Sequence, residues 1–221
     1  MTPTSNEFIK QAIIDQLTWD SSVNSNNVLV NVRDGKVELR GNVENMAARM
    51  AAERNAQQVK GVLAVDNRLE IKFPPGRLLP DDAELKTQVE DLLSWSNELN
   101  ADHIEVACEG HVVTLSGSVE TYWEKQHAYH VVAAIKGVLE VNNELSVVPA
   151  MTQDDEYIKE EIVRAFHRTY LIDEDKIQVE VISGIVKLNG RVPNFFVKLQ
   201  AKNMAMQTNG VKEVLDSLTV A

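Results

Sequence analysis

The chain has 221 residues, of which 44% are hydrophobic and 25% charged, and its formal net charge is −11. This composition is typical of a globular protein and excludes a disordered chain or a fibre. The longest aliphatic run, 131–135, is far shorter than a membrane-spanning helix of about 20 residues, the single cysteine excludes an internal disulfide framework, and the acidity argues against general affinity for nucleic acid.

The first element predicted in each of three repeated segments is an amphipathic helix. Apolar residues recur there at intervals of four, and residues resembling capping boxes precede them at Thr4–Glu7, Asp81–Glu84 and Thr152–Asp155. The three stripes are Ile9/Ile13/Leu17, Leu85/Val89/Leu93 and Ile158/Ile162/Phe166.

A β-hairpin is predicted next, because apolar residues then alternate with polar ones. The first strands include 28–32, 104–108 and 177–181, and the second strands 37–39, 113–115 and 186–188. Two-residue turns join them at 34–35, 110–111 and 183–184. Asp34-Gly35 is the strongest hairpin signal, and Gly110-His111 is predicted to form a type II′ turn because glycine comes first.

A second helix and a third strand complete each segment. The helices are predicted over 45–59, 121–135 and 194–208, and the strands over 65–71, 141–147 and 214–220. A shared alanine (Ala52, Ala128 or Ala201) allows the helix to lie close to the sheet, and a glycine follows each helix, where a left-handed cap favours it.

The repeated segments align without insertion or deletion. Their central motifs, at 35–43, 111–119 and 184–192, read x-x-V-x-L-x-G-x-V and are 76 and then 73 residues apart. The sequence therefore predicts an α+β fold of three tandem αββαβ domains, each with a three-stranded mixed sheet and two helices packed on one face. We place the domains, called here the first, middle and third units, at 4–73, 80–148 and 152–221.

Short linkers join the units. The first, 73–80, contains Pro74, Pro75 and Pro80 and is expected to act as a stiff spacer. The second, 148–152, is so short that it should restrain the middle and third units relative to each other.

The full pattern resembles the BON domain, a family named for bacterial osmotically inducible and nodulation proteins. The resemblance depends on Trp19 and Trp95 after the first helix, on the central motif, and on G-V-x-x-V-x-N-x-L at 61–69 and 137–145. The third copy departs from it, with Arg168 in the tryptophan position and no matching asparagine. The resemblance implies a stand-alone triple-domain protein of the osmotic or envelope stress response. It also implies that the ligand is a phospholipid membrane, another protein or, as in one lineage, potassium.

No signal peptide is recognisable at the start of the sequence, so we expect a cytoplasmic protein, or a periplasmic one if this N-terminus is not the native one. No motif of nucleotide binding, zinc hydrolysis, serine hydrolysis or dithiol redox chemistry is found either, so we expect neither an enzyme nor a cofactor. Cys108 aligns with Val32 and Val181 and is interpreted as a small buried hydrophobe. His127 and His130 are interpreted as surface residues, since two helical histidines are too few for a zinc site.

Charge is concentrated in the middle unit. Residues 77–149 carry 4 basic and 13 acidic side chains, whereas 1–76 carry 9 of each and 150–221 carry 9 and 11. We interpret this acidity as a solvated face. The alternatives are a basic partner or a weakly bound cation.

The start of each second helix combines aromatic or apolar side chains with basic ones. Such a combination is typical of a helix end that contacts a lipid interface, and the alternative is that these side chains pack between units. The predicted contact residues are Met46, Arg49, Tyr122, Trp123, Lys125, Phe195, Phe196, Lys198 and Lys202.

The leading hypothesis is a non-enzymatic binding protein of the bacterial stress response. It would contact a phospholipid surface or a protein through its second helices, and three weak modules would add avidity. A potassium- or calcium-sensing protein and a structural or chaperone-like scaffold are the alternatives.

Overall fold

The computed structural model describes residues 5–73, 76, 78–170 and 172–220, with the Glu174 side chain left out. The three units repeat one order of elements. The first unit contains α1 (Asn6–Trp19), β1 (Val28–Arg33), β2 (Lys36–Val43), α2 (Met46–Gln57) and β3 (Ala64–Ile71). The middle unit contains α3 (Asp82–Trp95), β4 (Ile104–Glu109), β5 (Val112–Val119), α4 (Tyr122–Ala133), β6 (Glu140–Asn143) and β7 (Ser146–Val147). The third unit contains α5 (Asp155–His167), β8 (Ile177–Ile182), β9 (Ile185–Val192), α6 (Phe195–Met206) and β10 (Glu213–Val220).

Each unit has one mixed sheet. In the first unit β1 pairs antiparallel with β2, and β2 pairs parallel with β3. The third unit repeats this arrangement with β8, β9 and β10. In the middle unit the last strand, predicted as one segment, is interrupted at 144–145, and both β6 and β7 pair parallel with β5. The mixed three-stranded sheets confirm the predicted fold class.

The helices cover one face of each sheet. The stripe residues of the first helices are buried together with alternate residues of the strands, so that each unit has its own hydrophobic core. Ala52, Ala128 and Ala201 are fully buried, since a larger side chain would hold the second helix away from the sheet. The second helices are one to two residues shorter at each end than predicted.

The glycine in the central motif is required for a steric reason. Gly117 has φ +107° and lies opposite Ile104 in the hairpin, and a Cβ added to it would lie 2.0 Å from the carbonyl oxygen of His103. The corresponding glycines of the other units meet a carbonyl oxygen at the same 2.0 Å. The motif therefore requires glycine for the close approach of two backbone segments.

All three hairpin turns are of type I′, because both central residues of each have positive φ. The type II′ prediction for Gly110-His111 is wrong, since His111 has φ +64°. The carboxylate of Asp82, at the start of α3, accepts hydrogen bonds from the N–H groups of Gly110 and His111, each at 2.8 Å. These bonds hold the turn and lower the pKa of Asp82. Asp155 binds the third-unit turn in the same way.

The helix starts agree in part with the predicted caps. The Asp81–Glu84 capping box is confirmed, but the third-unit N-cap is Asp154, so the box predicted at Thr152–Asp155 is wrong. Asp155 is used instead to hold the hairpin turn. The N-cap of α1 is Ser5, and Thr4 lies outside the described residues, as do Pro74 and Pro75 of the first linker.

Candidate functional site

The first residue of each second helix packs into a neighbouring unit. Met46 of α2 belongs to the core of the middle unit, and Tyr122 of α4 belongs to the core of the third. Phe195 of α6 packs against the core of the first unit. Because these residues occupy equivalent positions, the contacts run from first to middle, from middle to third, and from third back to first. The three units therefore close into a ring, with the second helices at the contacts.

The contact that closes the ring is looser than the other two. Met46 and Tyr122 are only 8% exposed, whereas Phe195 is partly exposed. Val147, at the end of β7, packs on the core of the next unit, but the equivalent Val220 packs only on the core of its own unit. Leu199, one turn after Phe195, is 48% exposed. No linker joins the third unit to the first, so this seam is held by non-covalent contacts alone.

The residues predicted to bind a ligand are therefore divided between two environments. Met46, Tyr122 and Phe195 lie between units and are available to a ligand only if the ring opens. Phe196 is 54% exposed, and four others are partly exposed: Arg49, Trp123, Lys125 and Lys202. Trp123 stacks on His127, with ring centroids 4.7 Å apart.

Lys198 is held within the third unit. Its ammonium group lies 3.3 Å from the Asp216 carboxylate and donates a hydrogen bond to the carbonyl oxygen of Leu218 at 2.6 Å. Asp216 occupies the position of the asparagine in the other copies, where Asn143 donates to the Lys125 carbonyl at 2.7 Å. A carboxylate cannot donate this bond, so the ion pair links helix and strand in its place.

Two tryptophans at equivalent positions are exposed. Trp19 ends α1 and is 88% exposed, and Trp95 ends α3 and is 84% exposed. In the sequence, both tryptophans contribute to the family resemblance. Their exposure is nevertheless readable from the sequence, because each lies two residues after the last buried stripe residue and hence on the opposite side of its helix.

The tryptophan ends of the first helices lie beside the carboxyl-terminal halves of the second helices. In the first unit, the Asn55 amide donates a 2.6 Å hydrogen bond to Asp20, the residue that follows Trp19. In the third unit, Arg168 and Thr169, just after α5, line one groove with Gln207 and Thr208 at the end of α6. Phe196, at the start of α6, therefore lies towards the other end of the helix layer.

Cys108 is not arranged for nucleophilic chemistry. The thiol lies 3.5 Å from an Asp82 carboxylate oxygen and packs at the edge of the middle core. Burial, together with this carboxylate, raises the pKa of Cys108 to about 11, so the thiol stays protonated at neutral pH. Within the described ranges, no three histidine, cysteine or acidic side chains form a group suited to a metal ion.

The described helices include none with the length and apolar character needed to cross a membrane.

Comparison with known proteins gives one family. The family model described as BON domain matches residues 5–72, 81–149 and 154–221. Osmotically-inducible protein Y of Escherichia coli (strain K12) is 26% identical over 140 residues, which are 62% of this chain and 68% of that protein. Two solved structures of CdsD, a structural protein of the type III secretion system of Chlamydia trachomatis, align with TM-scores of 0.27 and 14% identity. They cover 96% of this chain and 96% or 91% of theirs.

Proposed function

Since this chain belongs to the BON domain family in all three of its units, we propose that it is a non-enzymatic binding protein of the osmotic stress response that contacts phospholipid surfaces. The similarity to osmotically-inducible protein Y supports the role in osmotic stress. The contact is made by the tryptophan ends of the first helices, and the second helices chiefly hold the ring together.

The exposure of Trp19 and Trp95 is the observation that carries this proposal. Transfer of a large, fully exposed apolar side chain out of water is favourable by up to about 3 kcal/mol. Each exposed indole leaves this free energy available for contact with another surface. Tryptophan is also enriched at membrane–water interfaces, because its ring partitions into the apolar side of the interface while its N–H remains hydrated. Equivalent positions in a ring of similar units lie at the same height along the axis of that ring. A surface that lies against the ring at this height would be within reach of both tryptophans, and two contacts would add avidity.

Vesicle co-sedimentation tests the proposal. The wild-type protein is mixed with vesicles of phosphatidylcholine alone or with added anionic lipid, and compared with the variant Trp19→Ala/Trp95→Ala. We expect the variant to lose most binding, and the wild-type fluorescence to shift to the blue as the indoles leave water. The control is Phe8→Ala, which removes an aromatic ring that is 62% exposed at the opposite end of α1.

Phe196→Ala/Lys125→Ala tests the second-helix contact with the same vesicles, since both side chains lie near the start of a second helix. Loss of binding in this variant with full binding by the tryptophan variant would move the contact to the starts of the second helices. Absence of wild-type binding to both kinds of vesicle would refute the lipid proposal. Recovery of a stable protein partner through Trp19 and Trp95 would then assign the same face to a protein.

A further inference from the structure

The hairpin turn of the first unit lacks the carboxylate that holds the turn in the other two units. Asp82 and Asp155, the first residues of α3 and α5, each accept two hydrogen bonds of 2.7–2.8 Å from the N–H groups of their turn. The first residue of α1 is Asn6, and its side chain makes no hydrogen bond to the turn within the described part of the chain. The N–H groups of Asp34 and Gly35 therefore have no partner among the described residues, although this turn has the same positive φ angles as the other two.

Two cations flank this turn in the first unit. Arg33 ends β1 and Lys36 begins β2, and they lie directly opposite each other in the register of the hairpin. Asp34, between them in the chain, forms an ion pair with neither of these described residues. The equivalent pairs in the other units contain no cation: Glu109 and Val112, then Ile182 and Ile185. Like charges directly opposite each other repel across a strand pair, so an anion bound beside them would relieve this repulsion.

One groove connects the start of α1 with these cations. It has a volume of about 710 Å³, within the usual range for small-ligand sites, and extends from Asn6 past the two sides of the hairpin to the start of β3. Three of its cationic lining residues form no ion pair with any described residue: Lys10, Arg33 and Lys36. Because Asn6 lies at the position from which Asp82 and Asp155 reach their turns, a carboxylate bound beside Asn6 would be within reach of the two turn N–H groups.

Most of the acidic side chains along the groove are already paired. Glu38 lies 2.7 Å from Arg40 and 3.4 Å from Arg68. Asp66 lies 2.7 Å from Arg68. Glu7 also lines the groove and has no ion-pair partner among the described residues. Three unpaired cations are therefore opposed by one unpaired carboxylate, and the groove has a local excess of positive charge in a protein that is acidic as a whole.

We propose that this groove is a binding site for a carboxylate ligand, whose carboxylate takes the place that Asp82 and Asp155 occupy in the other units. Adjacent N–H groups of a turn form a concavity that binds anions, and hydrogen bonds to an ionised acceptor are about twice as strong as neutral ones. Three unpaired cations favour a ligand with more than one carboxylate. These carboxylates are carried either by a small di- or tricarboxylate or by an acidic peptide segment.

The site is separate from the surface of the proposed function. Asn6 begins α1 and Trp19 ends it, so about 20 Å of helix lies between them. The proposal therefore goes beyond contact with phospholipids. The variant Trp19→Ala/Trp95→Ala should keep carboxylate binding, which distinguishes failure of this proposal from failure of the proposed function.

Nuclear magnetic resonance titration of the whole chain tests the site, with citrate and a blocked tetraglutamate peptide as probes at neutral pH and constant ionic strength. We expect the amide proton resonances of Asp34 and Gly35 to move downfield, because both N–H groups gain a hydrogen bond to an ionised acceptor. The probe that binds more tightly identifies the source of the carboxylate as a small molecule or a peptide segment. Unchanged resonances of both residues with both probes would overturn the proposal.

Removal of the cations tests their part in binding. Lys10→Ala/Lys36→Ala should bind the tighter probe at least about tenfold more weakly, through loss of two charge-assisted contacts. The matched control, Lys159→Ala/Lys187→Ala, removes the same charge from the third unit, where Lys159 occupies the position of Lys10 and Asp155 already holds the turn. The control should bind as the wild type does, and an equal loss of affinity in both variants would contradict a site in the first unit.

Asn6→Asp supplies the missing carboxylate from within the chain. We expect its Asp34 and Gly35 resonances to lie downfield before any probe is added and to respond to neither probe, because the introduced carboxylate occupies the turn. Asn6→Ala is the control and should bind as the wild type does, since it leaves both the turn N–H groups and the cations available. If Asn6→Asp binds either probe as tightly as the wild type, the ligand does not use the turn and the proposal is wrong.

Discussion

Truncation of Tyr122 should uncouple the middle and third units. Tyr122 is the first residue of α4, yet it is 8% exposed within the core of the third unit. Burial also raises the pKa of its hydroxyl, which lies against the backbone of Val214 at the start of β10. The side chain therefore acts as a knob that joins one unit to the next.

The cost of Tyr122→Ala follows from this burial. Removing a buried aromatic side chain costs about 3–5 kcal/mol in a core that cannot collapse. Two units joined by a linker can separate instead, so the transfer part alone, about 2–3 kcal/mol, sets the loss of coupling. That is a factor of at least about 30 in the equilibrium between docked and undocked units.

Urea unfolding and small-angle scattering measure the effect. We expect Tyr122→Ala to unfold at lower urea, with the third unit separating from the rest, and to show a larger radius of gyration before unfolding. The matched control is Trp123→Ala, which removes a larger, partly exposed ring from the next position of the same helix, where it stacks on His127. If Tyr122→Ala is no more destabilising than Trp123→Ala and leaves the radius unchanged, the ring of interlocked units is wrong.

Three further predictions concern single units. Gly117→Ala should lower the free energy of unfolding, measured with urea, by at least about 3 kcal/mol, because the added Cβ meets a carbonyl oxygen. Gly110→Ala should lower it by about 1 kcal/mol, because Gly110 has φ +57° but open space around it. Equal losses in the two variants would contradict the steric explanation. Lys198→Met should cost about 1–3 kcal/mol by leaving Asp216 unpaired, and adding Asp216→Asn should recover most of it; a strictly additive double variant would show that the pair is not coupled. Cys108, which is half-buried, should react slowly with a disulfide reagent at neutral pH and faster only as the pH rises towards its pKa of about 11. Rapid reaction at neutral pH would refute the raised pKa.

Much of each unit could be predicted because it depends on local spacing. The stripe Leu85/Val89/Leu93 is buried as its period requires, and the Asp81–Glu84 box forms as its spacing requires. One error concerns the turn at Gly110-His111. His111 adopts positive φ, as a type I′ turn in a two-residue hairpin loop requires, and Asp82, nearly thirty residues earlier in the chain, accepts a hydrogen bond from its N–H. No local pattern signals such a bond.

The exposure of the candidate contact residues was harder to predict, because it depends on neighbouring units. The combination of Phe195 and Lys198 suggested a lipid-binding helix end, but Phe195 packs against the first unit and Lys198 is paired with Asp216. The spacing from Leu17 to Trp19 indicates that the indole lies on the outer side of α1, but whether Trp19 and Trp95 reach one surface together depends on how the units are assembled.

The sequence by itself determined the repeat, the order of elements and the composition of each core. It does so because burial of apolar surface follows the periods of helices and strands, which are local properties. Only the tertiary structure decided that the units close into a ring and that Met46 and Tyr122 enter the cores of the following units. These contacts depend on how units joined by short linkers are oriented relative to each other. No local pattern in the sequence of one unit specifies that orientation.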